Sequence, residues 1–405
     1  PPPPPPTTPP LNRRRQRQMC IRDSLCPVGA LTNKPFRFSA RAWELMARPS
    51  LAAHDGVGSN LWYHTRLGSV KRAVPRDCEP ANETWLSDRD RYSHFGLDSE
   101  DRLLEPMVKV DGRWARVTWE EGIKAASRAL RDSVTTHGGS GLGVLMSPSV
   151  STEEYFLTQR LARGLDCPNI DHRLREQDFS DDRSSGRAEA FQSPMAAIDD
   201  TNSIMLIGSN IRHEAPILGQ RVRKAWRKGA QVAAINPVDW NFHFTVTNKI
   251  ISAPQHMVRE LAALASAVSS ATGKDVPTAL QAASGGVEPG DSHAAIADML
   301  NGDGKKMLVL GQTAMSHPQA SWLRQISAWI ADASGAILNM LPNGGNTTGA
   351  ALAGALPGQG AGGRDVDSGM NVRDMLTKPA KAYLLWDIEP EFDMANPAKS
   401  AEALT

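Results

Sequence analysis

Cysteine is scarce in this sequence: Cys20, Cys26, Cys78 and Cys167 are the only four in 405 residues. They lie far apart, which excludes a disulfide framework and suits a reducing compartment. Long apolar runs are missing as well. None could span a bilayer, and no signal-peptide core stands near the start. Charge of one sign is also lacking. Lys and Arg number 45 against 44 Asp and Glu, a formal net charge of +1, so nothing electrostatic calls for nucleic acid or an anionic membrane surface. The reading is a cytosolic chain with no direct membrane insertion, compatible with docking on a membrane-bound partner. What remains is ordinary globular composition, 40% hydrophobic and 22% charged, and length enough for two or three domains with sizeable cores.

Residues 1–24 do not read as folded protein. Pro1 to Pro6 and Pro9-Pro10 favour polyproline II, and Arg13-Arg14-Arg15-Gln16-Arg17 is a basic run without an apolar partner. Arg15-Gln16-Arg17-Gln18-Met19-Cys20-Ile21-Arg22-Asp23-Ser24 resembles translated adapter sequence. The segment is expected to be a non-native tail and is set aside with Cys20.

The chain proper opens at Leu25 with Cys26-Pro27-Val28-Gly29-Ala30-Leu31-Thr32. A cysteine followed at once by proline is how the ligand run of a ferredoxin-type iron–sulfur segment ends. The thiolate binds iron and the proline stiffens the exit. The three further cysteines of such a run are not present upstream, and Cys78 and Cys167 have no Cys-x-x-C neighbour. A second cluster within this chain is therefore not expected.

Local patterns place the elements. Ala40 to Ala47, closed by Pro49, predicts a short helix. Asn60 to Arg66 and Val70 to Pro75, across Leu67-Gly68-Ser69, predict a hairpin. Pro106 to Trp119 predicts another, turning at Asp111-Gly112. Residues 51–114 thus read as a small strand-rich module. Thr118-Trp119-Glu120-Glu121 and Ser151-Thr152-Glu153-Glu154 are capping boxes that open helices ending near Thr136 and Gly164. Apolar strands follow at 141–146, 202–208, 230–236, 306–311 and 380–386, with helices at 217–228 and 318–333 between them. Continuous apolar strands alternating with helices mean parallel βαβ units. From about residue 115 the expectation is a doubly wound α/β domain, interrupted near 255–300.

Few residues offer chemistry. Gly208-Ser209-Asn210-Ile211 and Gly311-Gln312-Thr313-Ala314 each follow a strand, where an open α/β sheet binds ligands; the alternative is a plain turn that needs glycine. Gly138 to Gly143 precedes its strand, so the dinucleotide-binding register fails. His54-Asp55 and His172 lack a ligand at metal-binding spacing. Asp178, Asp181 and Asp182 read as a solvent-exposed loop cluster. Leu338 to Gly363, rich in Gly and Asn, reads as a long loop that either lines a cleft or is mobile.

Residues 26–45, Cys-Pro-Val-Gly-Ala-Leu-Thr-Asn-Lys-Pro-Phe-Arg-Phe-Ser-Ala-Arg-Ala-Trp-Glu-Leu, are similar to the large iron–sulfur subunit family of bacterial NADH-quinone oxidoreductase, respiratory complex I. The likeness continues through Gly58-Ser59-Asn60, Trp85-Leu86-Ser87-Asp88-Arg89-Asp90-Arg91, Arg173 to Phe179 and Leu384 to Pro397. The resemblance implies the end of an iron–sulfur region over 25–50 and, over 115–405, a molybdopterin-oxidoreductase-like α/β fold without its metal cofactor, truncated at the C-terminus. It implies that Cys26 is the last of four thiolates on a [4Fe–4S] cluster. It implies other peripheral-arm subunits as partners, on the cytoplasmic side of the membrane, and no molybdenum. Some members carry a further cluster on C-x-x-C-x-x-x-C plus a distant cysteine; those cysteines are lacking around His54 to Asn60. The competing expectation is a molybdopterin enzyme related to formate dehydrogenase or nitrate reductase, which needs a metal-ligating side chain at the cleft. A plain interaction module would leave the Cys26 block unexplained.

Overall fold

The computed structural model describes residues 33–182 and 190–404, so Cys20 and Cys26 lie outside the described residues. The contacts divide the chain into two units, which meet in sequence at Arg102 and Leu103.

In the first unit, β1 (Met46–Leu51), β2 (Asn60–Arg66) and β3 (Ser69–Pro75) form an antiparallel sheet in that order. The β2–β3 hairpin turns at Leu67 and Gly68, with φ of 50° and 78°, the positive pair that matches the twist of the flanking strands. The helix expected over 40–47 is not formed. Ala42–Glu44 makes a single 3-10 turn, and the chain then enters β1. Pro49 decides this: it disrupts a helix, but an edge strand tolerates its missing N–H, and it sits opposite Trp62 in the outer strand. A short helix α1 (Asp88–Tyr92), capped by Ser87, follows. The apolar core is small: Ala52, Leu61, Ala73 and Leu86, with Tyr63 against it.

The second unit opens with the hairpin β4 (Met107–Val110) and β5 (Arg113–Arg116), turning at Asp111-Gly112 with φ of 49° and 78°. Both capping boxes form. Thr118 and Glu121 open α2 (Trp119–His137), and Ser151 and Glu154 open α3 (Thr152–Gly164). Between and after them lie β6 (Leu142–Met146) and β7 (Ile170–Asp171). The chain continues through β8 (Ser203–Ile207), α4 (Ile211–Glu214), α5 (Pro216–Arg227), β9 (Gln231–Asn236), β10 (Asn248–Ile251), α6 (Met257–Thr272), α7 (Thr278–Ala282) and α8 (Asp291–Asn301). Then come β11 (Lys306–Leu310), α9 (Gln312–Met315), α10 (Ala320–Ser334), β12 (Ile337–Met340), α11 (Thr347–Ala353), α12 (Val372–Thr377), β13 (Ala382–Trp386), α13 (Pro390–Asp393) and α14 (Pro397–Leu404).

The α/β class expected from the strand pattern is present, with every strand pairing in β6 to β13 parallel. Three details differ. The parallel strands form two sheets, β10-β9-β8-β11-β12 and β13-β6-β7, because buried strands look alike in sequence whichever sheet they join. The stretch near 255–300 does not interrupt the domain. Leu261 and Leu264 of α6 and Ile296 and Leu300 of α8 pack against Met205, Ile235 and Leu308 of the larger sheet. The Gly-rich stretch at 338–363 is not one loop; it contains the end of β12 and all of α11. Among the described residues no helix is long and apolar enough to cross a membrane.

Candidate functional site

Open parallel sheets bind ligands outside the carboxyl ends of their strands, where the winding reverses. In the larger sheet that point lies between β8 and β11. The two turns singled out in the sequence therefore come side by side. Gly311 N donates to Ile207 O at 2.9 Å, and Thr313 N to Gly208 O at 3.1 Å. Little room is left. A Cβ on Gly311 would fall 2.3 Å from Ser209 Cα, and one on Gly208 (φ 54°) would fall 2.7 Å from Ala314 N. Glu214, which no sequence motif marks, fills the crevice. Its Oε2 accepts from Ser209 Oγ and its Oε1 from Asn210 N, both at 2.8 Å. Burial pushes its carboxyl pKa up against these hydrogen bonds. The signal in the sequence was its place one helical turn inside the βα turn, four residues after Asn210. A phosphate-bearing cofactor needs free donors at such a point. Here an acid already takes them.

At the smaller sheet, His172 is a core residue. It is fully buried, its Nδ1 lies 3.2 Å from Ala355 O, and Tyr155 meets it edge-on at 5.8 Å. Burial pushes its pKa down to about 4, so it is neutral near pH 7. Cys167 is buried too, with Sγ donating to Leu142 O at 3.0 Å, and burial pushes its thiol pKa up.

The acidic loop is not solvent-exposed as expected. Asp178 and Asp181 are buried. Arg324 on α10 donates to both oxygens of Asp181, at 2.8 and 2.5 Å, and Ser321 N donates to Asp178 at 2.8 Å. Arg173 makes two 2.9 Å bonds to Asp171 and reaches Asp182 at 3.1 Å. Ser321 and Arg324 lie 143 residues from their acidic partners, so no local spacing could have revealed them. This network binds the strand-end loop after β7 to α10; it leaves no acid free for chemistry.

The first unit holds the other candidates. His54 Nδ1 lies 2.9 Å from Asp90 Oδ1, and Asp55 pairs with Arg89. Ser87 Oγ donates to Asp90 Oδ2 at 2.6 Å. Burial, then the nearby Asp90 charge, raises the Asp55 pKa against the pull of Arg89. Asn82, fully buried, ties three backbone carbonyls, those of Asn60, Arg76 and Trp85. Cys78 stands apart in a tight bridge with Glu83. Among the described residues no group of three or more His, Cys, Asp or Glu is placed to hold a metal ion.

Against known families, residues 102–404 match the family model described as molybdopterin oxidoreductase. The chain belongs to that family. As a molybdopterin oxidoreductase relative it also matches, over residues 47–94, the 4Fe-4S domain of the NADH-ubiquinone oxidoreductase NDSU1/NuoG-like type, which ties the chain to iron–sulfur proteins. Curated relatives agree with the resemblance to a respiratory NADH-quinone oxidoreductase. The chain is 32% identical over 225 residues to the mitochondrial NADH-ubiquinone oxidoreductase 78 kDa subunit of Candida albicans, covering 55% of this chain and 31% of that one. It is 32% identical over 206 residues to a subunit of the NADH-quinone oxidoreductase of Rickettsia felis, covering 51% of this chain and 30% of the other. It is 34% identical over 223 residues to the NADH-ubiquinone oxidoreductase 75 kDa subunit of Reclinomonas americana, covering 51% of this chain and 31% of that one. The chain thus spans about three-tenths of the length of these relatives. Among solved structures, acetylene hydratase from Pelobacter acetylenicus superposes with a TM-score of 0.54 at 13% identity, over 70% of this chain and 43% of that one; the likeness is of fold. The residues of this family member do not fit the family's cofactor at the larger sheet, where Glu214 and the touching glycine turns close the crevice. Nor do residues 47–94, with the single cysteine Cys78, fit a cluster held by four thiolates.

Proposed function

We propose that this chain is part of the large iron–sulfur subunit of an NADH-quinone oxidoreductase, in the peripheral arm of complex I. The observation that carries the reading is the match of residues 47–94 to the iron–sulfur domain of that type, directly ahead of the α/β region, together with the names of the curated relatives. Cys26 supplies one thiolate to a [4Fe–4S] cluster whose other ligands come from outside this sequence. When bound, such a cluster supplies one-electron transfer between the NADH and quinone ends of the complex. The described part is scaffold: it shields the cluster arm and presents surface to neighbouring arm subunits, on the cytoplasmic side of the membrane. It needs no molybdenum, no nucleic acid and no insertion into the bilayer.

The test is elemental analysis of this chain co-expressed with a native N-terminal iron–sulfur region. The expected result is about four irons lost in Cys26→Ala, with no molybdenum. Stoichiometric molybdenum would overturn the reading and make the α/β unit catalytic; iron unaffected by Cys26→Ala would remove Cys26 from the ligand set.

A further inference from the structure

Residues 47–94 match an iron–sulfur domain, yet they hold one cysteine. Its interior instead carries buried charged and polar side chains. Asp55 and Asp90 are 4% and 1% exposed, and Ser59 and Ser87 are 0% and 1%. Acidic side chains are almost never so deeply buried unless paired. Both pairs run between the same two pieces of chain. The loop between β1 and β2 supplies His54 and Asp55; α1 supplies Arg89 and Asp90. His54 Nδ1 meets Asp90 Oδ1 at 2.9 Å, and Arg89 donates to Asp55 Oδ2. Backbone bonds close each side: Val57 N to Asp55 Oδ1 at 3.1 Å, Ala52 N to Ser59 O at 2.9 Å, and Asp90 N to Ser87 Oγ at 3.1 Å.

We propose that the crossed pairs His54–Asp90 and Asp55–Arg89 clasp the 52–59 loop to α1 in the structural place of a metal cluster, so that this segment holds its fold without iron and carries no electrons. A cluster in a small domain cross-links segments distant in sequence, as these pairs do across 36 and 34 residues. The unit has need of a cross-link, since among its described residues six apolar side chains are buried, Ala52, Val57, Leu61, Ala73, Ala81 and Leu86. The pairs also fix register. The loop gives an imidazole then an acid, and the helix answers with a guanidinium then an acid, so pairing each nitrogen side chain with a carboxylate makes the pairs cross. Paired in parallel instead, His54 would meet Arg89 and Asp55 would meet Asp90. Buried polar pairs are best attested in this register-setting role. The inference rests on the geometry of the first unit and not on the proposed subunit role, so failure of the Cys26 experiment would leave it standing.

Hydrogen–deuterium exchange on the full chain tests it, read at the amides of Val57, Asn60 and Arg91, which are bonded to Asp55, Asn82 and Ser87. Stripping metal with EDTA and dithionite should leave exchange in 47–94 unchanged. Asp90→Ala should speed it about tenfold or more, the factor that ~1.4 kcal/mol of lost local stability gives. Should Asp90→Ala unfold the unit, Arg89→Met and His54→Ala remove only the half-exposed partners, and each should give a several-fold rise confined to the loop and α1. Faster exchange after metal stripping would overturn the proposal. So would unchanged exchange in all three variants.

Discussion

Replacing Arg173 with methionine isolates the buried ion pair that anchors the loop after β7. The guanidinium is 7% exposed and bonds both oxygens of Asp171, which is fully buried. Removal leaves that carboxylate with backbone donors alone: the amides of His172 and residue 173 on Oδ1 and of Val372 on Oδ2. Breaking a buried pair on one side costs about 3–5 kcal/mol, and for a unit of this size each kcal/mol lowers Tm by about 2–4 °C. Arg173→Met should therefore lower the far-UV circular dichroism midpoint by roughly 10 °C at pH 7. The loss should depend on pH. Burial pushes the Asp171 pKa up, but the Arg173 charge and hydrogen bonds outweigh it and hold the pKa below the usual carboxylate range. A depressed acid stabilises the fold above its unfolded pKa, and that stabilisation disappears as pH falls through the folded value. The deficit of the variant should thus be full at neutral pH and shrink as pH falls, first where the buried Asp171 of the variant, without Arg173, takes up a proton, and then as the wild-type pair loses its stabilisation from about pH 4, the unfolded value, down through its depressed folded value. The pair Asp171→Asn with Arg173→Met, which leaves no bare charge at position 171, should recover part of the loss, the Arg173 bond to Asp182 being absent from both variants. A loss under about 1 kcal/mol for Arg173→Met, the size of an exposed pair, or a double variant worse than the single one, would refute the reasoning.

Further outcomes follow from the same packing. Because the His172 pKa is pushed down to about 4, the unfolded chain binds its proton first. Stability should fall as pH drops from about 6.5 toward 4, by about 3 kcal/mol; an imidazole NMR signal titrating near the ordinary value would contradict this. Gly311→Ala places a Cβ 2.3 Å from Ser209 Cα and should cost about 3 kcal/mol in urea unfolding, whereas Gly164→Ala, with nothing near its Cβ, should cost nothing. Mass-spectrometric mapping of alkylation should find Cys78 labelled before Cys167, whose buried thiol has its pKa raised.

The parts of this fold written in short stretches were legible. Capping boxes at Thr118 and Ser151, hairpin turns at Leu67-Gly68 and Asp111-Gly112, and the apolar strands at 142–146 and 203–207 each depend on neighbours within a few residues. Pairing between distant elements was not legible. Nothing in Ala382–Trp386 says that it joins Leu142–Met146 rather than the larger sheet. Asp178 and Asp181 read as exposed because Ser321 and Arg324, their partners, are far away in sequence. The clasp was hidden for the same reason: His54 looks alone until α1 brings Asp90 to it. Pro49 shows a local rule applied in the wrong context, since the residue that closes a helix also suits an edge strand. Of the candidate site, the two strand-end turns were found, while the acid that closes them was missed because a lone glutamate carries no motif.

The smaller parallel sheet, β13-β6-β7, has a consequence for the making of the protein. Ala382 of β13 pairs with Leu142 of β6, 240 residues upstream. All of the larger sheet is spelled out between them, as a passage inserted into an unfinished sentence. At about 5–20 residues per second, a ribosome needs roughly 10–50 s to reach the strand that covers the open edge of β6. During that interval the larger sheet can close upon itself, while Leu142 to Met146 wait with one flank bare. The order of synthesis thus makes the inserted layer the first to mature and leaves its frame in need of shelter until the last strand emerges.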